Sequence, residues 1–158
     1  DGLRSRDIIL GLQEQQMVIL NDVADIVPVD QTTFGVPGGN CLSACIASIL
    51  QLGIEEVPYF MSDDINGREW ITKLATWLVQ FGLYPVVVTG GMFTKLGFAG
   101  VHILQGPTVR GGTHAVVGVG NTVIHDPHPS RAGLLSISER TLLVPYKPHL
   151  ILEALDKK

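Results

Sequence analysis

Apolar residues recur at helical spacing in the first half of this chain and at strand-like spacing in the second half. Residues 41–52 form a nearly continuous apolar run that stops at Gly53, which predicts a helix because glycine commonly follows a helix C-terminus. Large apolar side chains repeat at three- and four-residue steps over residues 67–81 and predict a second helix. A less regular stripe predicts another helix over residues 4–20.

The second half contains short apolar segments separated by turn residues, a pattern typical of β-strands. Gly120-Asn121 lies between two of these segments and predicts a tight hairpin turn. Helices followed by antiparallel strands predict an α+β domain whose helices cover one side of a sheet. The predicted strands are Leu83–Thr89, Val101–Gln105, Thr113–Gly120 and Thr122–Asp126, with further candidates at Leu134–Ile137 and Leu142–Val144.

The remaining segments are predicted to be irregular. Residues 26–29 are expected to be extended, with Pro28 marking a sheet edge or a lead-in. Residues 31–40 and 57–61 are predicted loops because Gly and Pro are frequent there, and Asp63-Asp64 are expected just before the second helix.

Composition argues against several classes of protein. The 158 residues suffice for one domain with a substantial core, and 46% hydrophobic against 16% charged residues argues against disorder. The net charge is −4 without a run of Lys or Arg, so we expect no nucleic-acid partner. The apolar runs are too short to cross a bilayer, so no membrane partner is expected. Because the chain starts at Asp1 rather than Met, we expect an excised domain or a processed product.

Cys41 is the strongest candidate for chemistry because it follows Gly38-Gly39-Asn40 at the predicted start of an apolar helix. Helix N-termini carry unpaired N–H groups that favour a thiolate, so we expect Cys41 to react well below the usual thiol range of about pH 8.5. The alternative is a packing cysteine, since free cysteines are commonly buried. Cys45 is interpreted as a buried residue that packs in the core. Two thiols four residues apart on one helix make a poor disulfide, which indicates a reducing, cytosolic compartment.

His114 begins an otherwise apolar predicted strand, and Asp126 ends the next one. Neighbouring hairpin strands bring such positions together, so the Asp126 carboxylate is predicted to accept a hydrogen bond from His114. A cysteine nucleophile, a histidine base and an acid that orients the base form a catalytic triad. The alternatives are a histidine paired with a backbone carbonyl and an aspartate in an Asx turn near His128.

Further polar residues are predicted around this triad. Gln31 or Asn40, together with the Cys41 N–H, are candidates to bind a developing oxyanion, and Asn40 is also a candidate helix cap. Gln31 is equally well explained as an exposed loop residue. The predicted substrate-binding residues are Gly39, Thr113 and His128.

Three motifs, Gly-Gly-Asn-Cys, His-Ala-Val-Val and His-Asp-Pro-His-Pro-Ser, together resemble the papain-like cysteine peptidase superfamily. The resemblance is to its small bacterial and phage branch, typified by the bacteriocin-leader (double-glycine) peptidases, and it spans about residues 30–137. Gln31 lies ten positions before Cys41, farther than is usual in papain-like enzymes, so Asn40 is kept as an alternative oxyanion donor. The residues that take the family's places, in order, are Gln31, Cys41, His114 and Asp126-Pro127.

The resemblance implies a papain-like domain in which the Cys41 helix packs on a small antiparallel sheet, and we expect this domain to cover residues 26–158. Residues 1–25 are not covered by the resemblance and are predicted to form a separate helical segment. The resemblance also implies a cysteine protease-like hydrolase or acyl transferase that attacks an amide bond of a protein or peptide, without a metal or another cofactor. Its expected place is the cytoplasm, or a target cell into which it is delivered. The alternatives are a glutamine deamidase effector and a catalytically inactive binding module. A zinc site is a further alternative, with candidate ligands Cys41, Cys45, His114, His125 and His128.

Overall fold

The computed structural model describes residues 23–35, 38–61 and 67–146. The helix predicted over residues 4–20, most of the predicted segment 1–25 and Asp63-Asp64 lie outside the described residues. The helices are α1 (Cys41–Leu50), α2 (Glu69–Leu78) and α3 (Met92–Leu96), with short 3-10 turns at Val23–Asp25, Ile54–Glu56 and Val79–Phe81. The strands are β1 (Leu83–Thr89), β2 (His102–Pro107), β3 (Thr113–Val119), β4 (Thr122–His125) and β5 (Glu139–Pro145).

The five strands form one antiparallel sheet in the order β1-β5-β2-β3-β4, which confirms the predicted α+β class. The predicted hairpin turn at Gly120-Asn121 joins β3 to β4, and Gly120 takes a φ of 57° there. The strand predicted at 134–137 is wrong, because this segment bends beside β2 and none of its residues is in a strand. Its neighbour at 142–144 is confirmed as the middle of the longer strand β5.

Two helix boundaries differ from the sequence prediction. Helix α1 ends at Leu50, since Gln51 rather than Gly53 adopts the left-handed conformation that closes the helix, with a φ of 55°. Helix α2 begins two residues after the predicted Gly67, and its last turn tightens into a 3-10 turn that ends, as predicted, at Gly82. Both differences between prediction and structure are at helix ends, where the local backbone conformation decides the boundary.

Helices α1 and α2 pack on one face of the sheet and form the main core with it. Along each strand, alternate residues point to this face. Burial of these apolar side chains away from water is the main contribution to folding. The core includes Ile46, Leu50, Leu74, Leu78, Leu83, Ile103, Val117 and Leu143.

The opposite face is covered too, which corrects the expectation that helices lie on one side only. Helix α3 follows β1 and places Phe93 against this second face, where its ring lies 4.8 Å from the buried His102 ring. The Arg140 guanidinium stacks on Phe93 at 3.9 Å. The segment 133–138 lies over the same face, where it passes directly above Gly106.

Residues 26–29 are extended but join no strand. Their backbone is held against α1, because Val27 N–H donates to Ser48 O and Val29 N–H donates to Ser48 Oγ at 2.9 Å. In the described ranges no helix is long and apolar enough to cross a membrane.

We expect Gly106→Ala to destabilise the protein, because an added Cβ would lie 1.9 Å from the backbone oxygen of Ser136. Forcing the 133–138 segment off the sheet should lower the free energy of unfolding by about 1–3 kcal/mol, measured by urea denaturation. Gly91→Ala is the control, since its Cβ meets nothing within 4 Å and its φ is −71°. Equal losses in both variants would contradict this account.

Candidate active site

Cys41 is the first residue of α1 and is only partly exposed. The loop before it turns tightly, since Gly39 N–H donates to Gly35 O at 3.0 Å and a Cβ on Gly39 would approach that oxygen to 2.9 Å. Position 39 therefore requires glycine, because a side chain would collide with the backbone of Gly35. The backbone N–H groups of Ala115 on β3 and of Leu42 lie close enough to the sulfur to favour its charged form. The thiol thus lies where the start of α1 meets the start of β3.

The pKa of Cys41 differs from the sequence expectation of a lowered value. Burial raises the pKa of this thiol above its ordinary value, and the nearby Asp126 charge raises it further. The N–H groups of Ala115 and Leu42 lower it, but they do not outweigh the burial. The helix N-terminus alone is too weak to hold a thiolate here, because loss of hydration penalises the charged form more. In the free protein Cys41 is a thiol at neutral pH.

His114 and Asp126 lie together next to Ala115, the β3 residue whose backbone is close to the Cys41 sulfur. His114 Nε2 is 2.7 Å from Asp126 Oδ1, and both side chains are buried. The hydrogen bond predicted from the hairpin is therefore present. Since an ionised carboxylate only accepts, Nε2 carries the proton, and Nδ1 of the neutral ring is left as an acceptor.

The Asp126 carboxylate accepts two further hydrogen bonds from its own loop. The His128 N–H donates to Oδ1 at 2.9 Å and the Gly133 N–H donates to Oδ2 at 2.7 Å. Burial by itself would raise the pKa of Asp126, but these bonds and the one from His114 outweigh it and lower the pKa. The Asx-turn alternative and the pairing with His114 are thus both realised in one carboxylate.

Arg131 ties the Asp126 loop to the segment before α1. Its guanidinium binds the Asp30 carboxylate through two bonds of 2.6 and 2.8 Å, and it also donates to Asp126 O. The Gln31 N–H donates to Pro127 O at 3.1 Å between the same two segments. Sequence reasoning missed this ion pair because its partners lie 101 positions apart and carry no motif.

Gln31 is buried and is not an exposed loop residue. Its Nε2 donates to Thr33 O at 2.8 Å, and the same oxygen accepts the Asn40 N–H. The buried Oε1 has no hydrogen-bond partner in the described structure. One Nε2 hydrogen is used by Thr33, so the second is left for another acceptor near the start of α1.

Asn40 has a different role from the predicted one. Its side chain makes no cap hydrogen bond to α1. Instead Oδ1 accepts the N–H groups of Thr32 and Thr33, and Nδ2 donates to Thr32 Oγ1 at 2.9 Å. Asn40 therefore braces the loop, which favours Gln31 over Asn40 as the oxyanion donor.

Aromatic side chains border the site. The His128 ring packs edge-on to His114, with centroids 6.1 Å apart, and to the half-exposed Phe34 at 5.4 Å. The Tyr59 hydroxyl accepts the Gly38 N–H at 3.2 Å from the other side of the glycine loop. Of the predicted substrate-binding residues, Gly39 and His128 lie at the site, and Thr113 is exposed next to His114. Phe34 and Tyr59 gave no sequence signal beyond lying in loops.

Two of the candidate zinc ligands, Cys45 and His125, have other contacts. Cys45 is fully buried in the core, as predicted, and burial raises its pKa well above the ordinary value. His125 is buried and its Nε2 lies 2.9 Å from Val29 O, so it is not exposed to a substrate. Within residues 23–35, 38–61 and 67–146, no three His, Cys, Asp or Glu side chains converge as a metal site.

No protein-family model, curated protein or solved structure matches this chain.

We expect Asp126→Asn to remove part of the acid sensitivity of folding. Because the folded protein lowers the pKa of Asp126, its carboxylate stabilises the fold above about pH 4 and this contribution is lost as the pH falls through the folded-state value. Unfolding free energies measured by urea denaturation from neutral to acidic pH should therefore depend less on pH in the variant. The exposed Glu69→Gln is the matched control. An unchanged pH profile in Asp126→Asn would contradict the assignment.

Iodoacetamide should label Cys41 and leave Cys45 unlabelled in the native protein, since Cys45 has no exposed surface. Because burial raises the pKa of Cys41, the labelling rate should keep rising with pH beyond the ordinary thiol range of about 8.5. Because no Lys or Arg separates the two cysteines, they lie in one tryptic peptide, and tandem mass spectrometry of that peptide measures the labelling of each. A rate that levels off below about pH 7 would instead reveal a thiolate–imidazolium pair.

Proposed function

We propose that this protein is a thiol-dependent hydrolase or acyl transferase that acts on an amide bond of a protein or peptide. The observation that carries the proposal is the buried hydrogen bond between His114 and Asp126, placed one residue from the backbone group that contacts the Cys41 sulfur. A buried pair of this kind orients an imidazole for proton transfer. Its position next to a residue whose backbone is close to a helix-start thiol supports a nucleophilic cysteine with a histidine base.

In the proposed first step, Cys41 Sγ attacks the amide carbon and forms an S–C bond. The thiol proton moves to His114 Nδ1 during this attack, because Nε2 is already bonded to Asp126 and the free thiol is not ionised. The Asp126 carboxylate stabilises the imidazolium that results. The C–N bond then breaks, His114 returns the proton to the leaving amine, and an acyl-enzyme is left.

The acyl-enzyme is resolved by water or by another amine. His114 Nδ1 takes a proton from the incoming nucleophile, whose oxygen or nitrogen attacks the acyl carbon, and the proton returns to Cys41 as the S–C bond breaks. Water gives hydrolysis and an amine gives acyl transfer. This chain's residues supply each proton transfer, and the step needs no further group.

The developing oxyanion is proposed to lie between the Cys41 N–H and the Gln31 amide. The first N–H groups of a helix have no partner within the helix and are suited to this role. Gln31 Nε2 shares its acceptor, Thr33 O, with the residue just before Cys41, which brings the amide to the start of α1. Removal of one such donor from an oxyanion site typically costs about 2.7–4 kcal/mol of barrier.

The papain-like assignment is part of this proposal. It is supported by the order of Gln31, Cys41, His114 and Asp126 along the chain, and by a helix-start cysteine packed against an antiparallel sheet. Cys41 and Cys45 are both free. Since a nucleophilic thiol must stay reduced, a reducing compartment such as the cytoplasm, or a target cell's, fits the chemistry.

The proposal is tested with a peptide library of defined composition, followed by mass spectrometry for cleaved chains and by an ammonia assay. Cys41→Ala should abolish turnover, and His114→Ala should lower it by about 10²–10⁴-fold. Cys45→Ala, the matched cysteine control, should retain turnover. Thermal melts of every variant check the fold.

Each outcome of this experiment separates one reading from the others. Cleaved peptides support a peptidase, whereas ammonia without cleavage supports a glutamine deamidase with the same triad. Turnover that persists in the folded Cys41→Ala variant would overturn the proposal. A non-catalytic binding module would be favoured by two results together. The wild-type protein would give neither product, and an electrophilic peptide would label wild type and His114→Ala equally.

A further inference from the structure

A second concave site lies on the sheet face that α1 and α2 do not cover. It is an open pocket of about 450 Å³, within the range of roughly 300–1,000 Å³ typical of small-molecule sites. Five of its eight lining residues are apolar, Leu104, Val123, Leu134, Leu135 and Ile137, and they come from the sheet and from the segment 133–138. Polar atoms nevertheless make up more of the exposed lining than apolar atoms do. Arg140 also lines this pocket and is the charged group in its wall.

The Arg140 side chain is 91% buried, since its relative exposure is 9%. Its guanidinium donates to His102 Nε2 at 3.0 Å, to Gly120 O and to Asn121 Oδ1. A guanidinium has five N–H donors. Two of them therefore have no protein acceptor within the described part of the chain.

None of these acceptors carries a negative charge. His102 Nδ1 lies 2.9 Å from Gly100 O, so Nδ1 holds the proton and Nε2 faces Arg140 as a neutral acceptor. Glu139 precedes Arg140 on β5, and strand alternation directs it to the face of α1 and α2. Among the described residues Arg140 has no salt bridge. Burial lowers its pKa, and no carboxylate raises it.

A buried cation without an anion is costly in a folded protein. The Phe93 ring at 3.9 Å from the guanidinium offsets part of this cost through a cation–π contact. A structural role in bracing the β3–β4 turn accounts for three of the five guanidinium donors, but it leaves two donors without an acceptor in the described part of the chain. A ligand with a negative charge would account for the positive charge of Arg140 at this position.

We propose that this pocket binds a small amphipathic anion, a carboxylate or phosphate group attached to an apolar chain, with the anion against Arg140 and the chain against Leu104, Val123 and Leu135. Charge complementarity selects the anionic group, and the apolar wall selects the chain. The inference is independent of the proposed amide chemistry, because none of the residues that line the pocket belongs to the candidate active site.

The test is titration of the full chain with octanoate and with octyl phosphate, followed by isothermal calorimetry and amide chemical shifts. At least one of the two should bind, with the shifts centred on Val123, Leu135 and Arg140, and the two titrations distinguish a carboxylate from a phosphate source. Octanol, which has the same chain without the charge, should bind at least about tenfold more weakly. No binding of either anion, or equal binding of octanol, would overturn the proposal.

Val123 offers a variant that keeps Arg140 in place. It is 40% exposed on β4 and lines the pocket, so Val123→Glu should place a carboxylate near the guanidinium and weaken anion binding by at least about tenfold. Val123→Gln is the matched control with the same size and no charge, and it should bind within about threefold of wild type. Thermal melts establish that both variants fold. Equal affinities of the two folded variants would show that the charge of Arg140 does not select the ligand.

Discussion

The buried Asp126 carboxylate is the group around which the candidate active site is assembled. An ionised carboxylate with little exposure must have each oxygen satisfied, or its burial would cost more than the fold can supply. Here the donors come from the His114 ring on β3 and from two N–H groups in the loop that follows β4. Because one carboxylate holds all three, it sets the ring orientation and the shape of the loop together. The same loop then accepts the Gln31 N–H through Pro127 O, so the segment before α1 is aligned with it.

This carboxylate also determines how the thiol can react. Its charge disfavours a thiolate at Cys41, and burial acts in the same direction. Cys41 is therefore not held as the thiolate that its place at a helix N-terminus alone had suggested.

Sequence reasoning predicted the features that follow from local patterns. Strand β1 was predicted with its observed ends, and the pairing of His114 with Asp126 followed from the hairpin that joins their strands. The end of α1 was predicted two residues too late. Glycine is the residue that most readily adopts the left-handed conformation, which pointed to Gly53, but Gln51 adopts it instead. The Asp30–Arg131 ion pair was missed because long-range contacts between charged loops leave no periodic signal. Three of the four residues in segment 134–137 are apolar, a pattern typical of a strand in the sequence, yet none of them is in a strand.

The two faces of the sheet are linked by the backbone of one segment. Gly133 donates to Asp126 at the start of this segment, and the residues after it form the wall of the Arg140 pocket. Leu135 N–H donates to Pro107 O and Ser138 N–H donates to Gln105 O, so the segment is fixed to β2 along its length. The candidate active site and the pocket are thus joined by backbone hydrogen bonds, although no side chain of one contributes to the other.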